Sequence, residues 1–345
     1  MILAQAFAFL ALHAVPKSVL RRWLCRKLSR GLFRFEPQFS GRVSLFLLAR
    51  RLLLRARSDV ALVPDYVCNI APKVFRLAGW EVVAYPTDRD LEPDWEGLLL
   101  LLDTRKAGVL VGASVFGSSG LLTFLSEAEK LVALRHRSVQ VVIDMAQDVR
   151  LVDLLPPAGA DFVHGILSFN DKSFPGSMGG GILSSAPAEG EQMKHLSVSQ
   201  VAHLYRRLLV KLYRACRTFI ASSPVRAASE VPSHDYSSCG SFPHEIEGSC
   251  YEPAKIQYVL ALIGLRDLPH YGLRKVALLQ HGLHLKTRFA STAAYLIMDE
   301  DWQQSLGQIA ARRARKSPYA AEGTPDCGLR SNDIIFHNKG FLDGT

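Results

Sequence analysis

Residues 139–185, VQVVIDMAQDVRLVDLLPPAGADFVHGILSFNDKSFPGSMGGGILSS, restrict what this chain can fold into more than any other stretch. Val139 to Ile143 is a β-branched apolar run of strand length, and it delivers Asp144 at its carboxyl end with Gln147 three residues on. A second apolar strand ends at Ser168-Phe169, and Lys172 follows at once in a turn. Gly176 and Gly179-Gly180-Gly181 then lead into a third apolar strand, Ile182 to Ser184. A carboxylate at one strand end, a lysine just past another and a glycine-rich return are the parts a pyridoxal phosphate enzyme uses. The carboxylate keeps a pyridine nitrogen protonated, and the lysine amine holds the aldehyde as a Schiff base.

These residues carry a resemblance to a family. Asp144-Met145-Ala146-Gln147, the Ser168-Phe169 pair, Lys172 and Met178-Gly179-Gly180-Gly181 together resemble the DegT/DnrJ sugar aminotransferases. The resemblance implies a fold type I α/β domain with a mostly parallel sheet between helices. It also implies pyridoxal 5'-phosphate as cofactor, a homodimer, and a sugar substrate, nucleotide-linked, with glutamate as amino donor. Lys172 stands four residues after the serine where the family has five, which reads as a one-residue deletion in the turn. The resemblance assigns Lys172 to the cofactor aldehyde, Asp144 to the pyridine nitrogen, Gln147 to the ring or its phenolic oxygen, and Ser168 to the phosphate.

Earlier in the chain, Ser40-Gly41-Arg42 opens an apolar helix predicted over 43–54. A serine and unsatisfied backbone amides at a helix start suit an anion, although a Ser-Gly start is also a common cap. The family's Ser-Gly-Thr-like turn falls here, so the resemblance gives Ser40, Gly41 and Arg42 to the phosphate. The strand 60–63 runs into Pro64-Asp65-Tyr66-Val67-Cys68, like the family's Val-Pro-x-Tyr segment. Cys68 occupies the position that stacks on the cofactor ring, usually aromatic, and Tyr66 is left to cover the ring. A core tyrosine and a buried thiol are the structural alternatives.

Beyond these strands an α/β rhythm continues, with helix 71–78, strand 81–85, helix 95–102 and strand 108–113. In a largely parallel sheet, ligands bind beyond the carboxyl ends of the strands, where Asp144, Ser168 and Phe116-Gly117 fall. The stretch 248–268, a glycine-led turn followed by a helix, resembles the family's second landmark, with Cys250 and Glu252 replacing the asparagine and arginine often found in that turn. The resemblance fades beyond about Phe289 into a reduced C-terminal domain with a strand predicted over 334–336. Three regions follow: an apolar and basic amphipathic segment 1–38, a large cofactor-binding domain 39–240, and a helical segment with a reduced small domain 241–345.

The amino-terminal 15 residues are apolar but shorter than the roughly 20 that cross a bilayer, and they lack the charged start of a secretory signal. Lys17 to Arg30 sets Val19, Leu20, Trp23, Leu24 and Leu28 at helical spacing against Lys17, Arg21, Arg22, Arg26, Lys27 and Arg30. Such a helix either packs on the domain or lies on an anionic membrane, so residues 1–30 are a candidate peripheral membrane contact. The formal charge of +9 favours an anionic partner. No nucleic-acid motif accompanies the basic helix predicted over 201–222, and no nucleic acid is expected. The six cysteines are scattered without metal or disulfide spacing, which points to a reducing cytoplasm. A second reading of the whole chain is a catalytically impaired homologue that serves as a binding or membrane-associated partner.

Overall fold

The computed structural model describes residues 2–65, 67, 70–87, 93–114, 121–146, 149–156, 161–169, 179–185, 194–206, 209 and 251–266, with three later strands at 295–298, 314–316 and 334–337. In chain order the named elements are α1 (Ile2–Ala14), α2 (Lys17–Leu28), β1 (Arg34–Gln38), α3 (Gly41–Leu53), β2 (Val60–Pro64), α4 (Ile70–Ala78) and β3 (Glu81–Tyr85). They continue with α5 (Trp95–Arg105), β4 (Val109–Ala113), α6 (Leu122–Leu125), α7 (Ala128–His136), β5 (Gln140–Asp144), β6 (Val163–Ser168) and β7 (Gly180–Ser184). Two further helical stretches span residues 198–206 and 255–266.

The first seven strands form one sheet in the order β1-β7-β6-β5-β4-β2-β3. β3, β2, β4, β5 and β6 are parallel to their neighbours, and β7 enters antiparallel between β6 and β1. Strands covered on both faces read as unbroken apolar runs, which is why VALVP, VLVGA and VHGILS are buried at every position. The alternation still sorts them. Ala61, Val63, Val109, Val111, Val142, Ile166 and Ile182 pack under α3 and α4 on one face. Val60, Leu62, Leu110, Val141, Ile143, Val163, Leu167 and Leu183 share the opposite core with α2, α5, α7 and the 255–266 helix.

One expectation is revised by this arrangement. The sheet reaches back before residue 39, because β1 pairs with β7 from Arg34↔Ser184 to Gln38↔Gly180. RFEPQ conceals a strand because it carries charges and a proline, the composition of a sheet edge. Arg51 of α3 holds that edge strand by a two-pronged bond to Glu36 at 2.8 and 2.9 Å. Of the two readings of α2 the structure takes the packed one: Leu20, Leu24 and Leu28 are buried in the main core, and Trp23 stays partly exposed. The strands at 295–298, 314–316 and 334–337 form a separate three-stranded antiparallel sheet, the last overlapping the strand expected at 334–336.

One buried polar group has a measurable consequence. His164 of β6 lies between Gln140 Oε1 at 3.1 Å and Ser184 Oγ at 2.9 Å, so a neutral ring donates to the amide oxygen and accepts from the hydroxyl. Burial, helped by nearby Arg55 and opposed by Asp161, pushes its pKa from the ordinary 6.5 down to about 4. A depressed histidine is neutral in the fold and charges first in the unfolded chain. Its contribution is therefore complete above about pH 6.5 and is lost as pH falls toward 4, on the order of 3 kcal/mol in all. Urea unfolding across that window should show wild type losing stability faster than His164→Asn; parallel pH curves would refute the assignment.

Candidate active site

The carboxyl ends of β5 and β6 deliver two of the expected residues side by side. Asp144 is the last residue of β5, opposite Ala113 of β4 and Ile166 of β6, and Ser168 ends β6 two residues further along. The Ala146 amide donates to Asp144 Oδ1 at 2.9 Å, which fixes the carboxylate at the strand end. Ser114, buried just past β4, donates its amide to the Asp144 carbonyl at 3.0 Å. Nothing in the sequence around Ser114 marked it apart from its place after a strand.

The start of α3 packs into this same end of the sheet. Ser40 is its N-cap, with Oγ accepting from the Val43 amide at 3.2 Å. A hydroxyl used this way keeps its own proton to donate to an anion. At Gly41 a side-chain carbon would lie 2.7 Å from Ser168 Cβ and 2.9 Å from Ser168 Oγ. At Gly180 it would lie 2.5 Å from the Gly41 nitrogen and 2.6 Å from the Leu167 oxygen. Only hydrogen fits at both places, so the amino end of a 13-residue helix sits directly against Ser168. The helix dipole and unsatisfied first-turn amides make that spot favourable for a phosphate. Ser40, Gly41, Arg42 and Ser168, separated by more than 120 residues of sequence, are thus brought to one place.

Lys172 belongs to residues 170–178, and Lys172, Gln147, Tyr66 and Cys68 all lie outside the described residues. Both flanks of the segment carrying Lys172 are described and tied together. Phe169 donates its amide to the Gly179 carbonyl at 2.9 Å, and Ser168 pairs with Gly180. Gly179 adopts φ +109°, a conformation that favours glycine, so its place in the return is set by backbone need.

The 255–266 helix supplies a residue that sequence reasoning missed. Gln257, 3% exposed, donates Nε2 to the Phe39 carbonyl at 2.8 Å and accepts the Ala254 amide on Oε1 at 2.9 Å. It also borders Gly179, where an added side-chain carbon would lie 3.6 Å from Nε2. One side chain therefore braces the residue before Ser40 and the glycine return. Glu252, which departs from the family pattern, has a structural partner within the chain: Lys17 Nζ at 2.9 Å, with His195 Nδ1 at 3.4 Å.

No protein-family model matches the sequence, and no curated protein matches it. Solved structures do match the fold. Helicobacter pylori PseC, an aminotransferase involved in the biosynthesis of pseudoaminic acid, aligns with TM-score 0.57 and 12% identity over 99% of this chain and 92% of its own. Streptococcus pneumoniae Spr1654 in its PLP form gives TM-score 0.57 and 15% identity over 97% and 91%. A DegT/DnrJ/EryC1/StrS aminotransferase from Brucella abortus gives 0.52 and 13% over 96% and 91%. The chain has the fold of these enzymes, the one its strand ends resemble.

Replacing Gln257 by leucine strands the buried Ala254 amide and the part-buried Phe39 carbonyl, which should cost about 1–3 kcal/mol in chemical unfolding. An unchanged midpoint would show that the brace carries no load.

Proposed function

We propose that this chain is a pyridoxal-phosphate-dependent aminotransferase acting on a sugar, a nucleotide-linked keto sugar in our reading, with glutamate as amino donor. The observation that carries the proposal is the convergence of Asp144, Ser168 and the amino end of α3, packed through Gly41 and Gly180, in a fold shared with sugar aminotransferases. The residues fit the cofactor. A cradle in which any added side-chain carbon would collide leaves backbone amides and two serine hydroxyls for a phosphate, and a carboxylate stands on the neighbouring strand. Bound pyridoxal phosphate supplies an electron-withdrawing ring that lets a C–H bond beside nitrogen break.

The chain's own residues do the rest. Ser40, Gly41, Arg42 and Ser168 hold the phosphate and so fix where the ring lies. Asp144, anchored by the Ala146 amide, keeps a proton on the ring nitrogen through its negative charge. Gln147, Tyr66 and Cys68 are assigned to the ring's edge and face. Lys172 would hold the cofactor's aldehyde and, with its amine freed, would serve as the general acid and base that takes up and returns a proton at the reacting carbon. The basic balance of +9 suits an anionic nucleotide-linked substrate. We place the enzyme in the cytoplasm, with a peripheral membrane contact through residues 1–30.

Borohydride reduction after incubation with pyridoxal phosphate should fix the cofactor on the peptide that contains Lys172. Lys172→Ala should retain reversible cofactor binding and lose turnover by a factor of about 10³ or more, since no other lysine lies in the turn. Asp144→Asn should still be labelled but lose most activity, because an amide does not hold the ring proton. Labelling on another lysine would move the catalytic assignment. A folded protein that takes up no cofactor would favour the impaired, binding-only homologue.

The resemblance further implies a two-fold dimer whose sites are completed across the interface. Sedimentation should give twice the 38.1 kDa chain mass. A fully active monomer would refute this.

A further inference from the structure

The membrane-facing part of the amino-terminal region is displaced from where the sequence puts it. Leu20, Leu24 and Leu28 of α2 are buried in the core and have no apolar face left to offer a bilayer. α1 does. Phe7, Leu10, Ala11 and Ala14 follow the i, i+3, i+4, i+7 spacing of one helix face, and all four are exposed, Phe7 at 76% and Leu10 at 69%. The opposite face is already occupied. Phe9 packs against the core and stacks on His13, whose Nε2 lies 3.1 Å from the Tyr205 hydroxyl. Helix α1 is therefore held in place from behind while its outer face from Phe7 to Ala14 is apolar.

Charge selects the partner. Seven lysines and arginines fall within the first 35 residues, and the first acidic residue is Glu36. Lys17 and Arg30 are engaged with Glu252 and Asp153, but Arg21, Arg22, Arg26 and Lys27 lie exposed along α2 beside Trp23, 41% exposed. An exposed apolar helix face followed directly by a one-signed basic helix with a half-exposed tryptophan fits the interface of an anionic bilayer. At 13 residues α1 is about 20 Å long, too short to cross a hydrocarbon core of roughly 30 Å.

We propose that α1 and the exposed basic side of α2 form a peripheral docking surface for anionic lipid, with Phe7 and Leu10 entering the headgroup boundary and Arg21, Arg22, Arg26 and Lys27 meeting lipid phosphates. The apolar contact is on α1, and the buried α2 leucines serve only to hold the basic helix to the domain.

Vesicle co-sedimentation of the full chain tests this, using phosphatidylcholine alone and phosphatidylcholine with about 30% phosphatidylserine. Wild type should bind the anionic vesicles roughly tenfold more than the neutral ones, and raising salt from about 0.1 to 0.5 M should remove most of that preference. Phe7→Glu with Leu10→Glu should lower anionic binding about tenfold without shifting the unfolding midpoint, because both side chains are exposed. Arg22→Glu with Arg26→Glu should abolish the preference for anionic lipid. Equal binding to both vesicles, no binding, or full binding by the Phe7/Leu10 variant would overturn the proposal. So would a Phe7/Leu10 variant that binds vesicles normally but sediments at lower mass, since the face would then belong to a second copy of the chain.

Discussion

The close approach of α3 to the ends of β6 and β7 is the contact on which the site depends. A helix start normally keeps about 10 Å between its axis and a sheet because side chains intervene. Here glycine at 41 and at 180 removes them, and the first turn meets Gly180 backbone to backbone and lies against the Ser168 side chain. The antiparallel entry of β7 makes this possible. It runs Gly180 past Ser168 and on toward β1, so that the strand carrying the glycines is flanked by β6 on one side and by the lead-in to α3 on the other. A methyl group at either glycine would push α3 outward and separate the serine hydroxyls that the sheet order brings together.

How much of this was legible follows from what each segment buries. β2, β4, β5, β6 and most of β7 were readable because a strand covered on both faces must be apolar throughout, and Asp144 and Ser168 stand out where such runs end. β1 was not readable, since an edge strand closed by an Arg51–Glu36 pair needs few apolar residues. α7, AEKLVALRH, buries only Leu134 and so has almost no periodic signal. Gln257 was invisible for another reason. A glutamine in an amphipathic helix reads as a solvent-facing residue, and its partner at Phe39 lies 218 positions away.

The apparent departures from the resembled family sort in the same physical terms. Glu252 replaces a residue that in the family faces a partner subunit, yet here its carboxylate takes Lys17 and draws the start of α2 toward the 255–266 helix. A chain with a basic amino-terminal helix needs an acid at that place to fix the helix's first turn; an arginine there would repel it. At 12–15% identity the shared fold sets where strands end and leaves the chemistry to the residues standing there, Asp144 and Ser168 among the described residues.

Helix α1 and the lead-in to α3 are joined through one small cluster. Phe9 on the inner face of α1 packs with Leu204, Tyr205, Ala254, Ile256, Leu260 and Phe39. Phe39 precedes Ser40, the N-cap of α3; its carbonyl is held by Gln257, and its ring meets Tyr251. The inner face of α1 is thus one layer of side chains away from the start of α3, while Phe7 and Leu10 on its outer face are exposed. Removing residues 1–30 altogether would take Phe9, Lys17 and three core leucines with it, exposing the cluster that supports Ser40. Loss of vesicle binding in such a truncation would carry no information about the membrane face, because the fold beneath it would be damaged at the same time. Substitutions confined to Phe7 and Leu10 separate the two roles, since only the outward side of the helix changes.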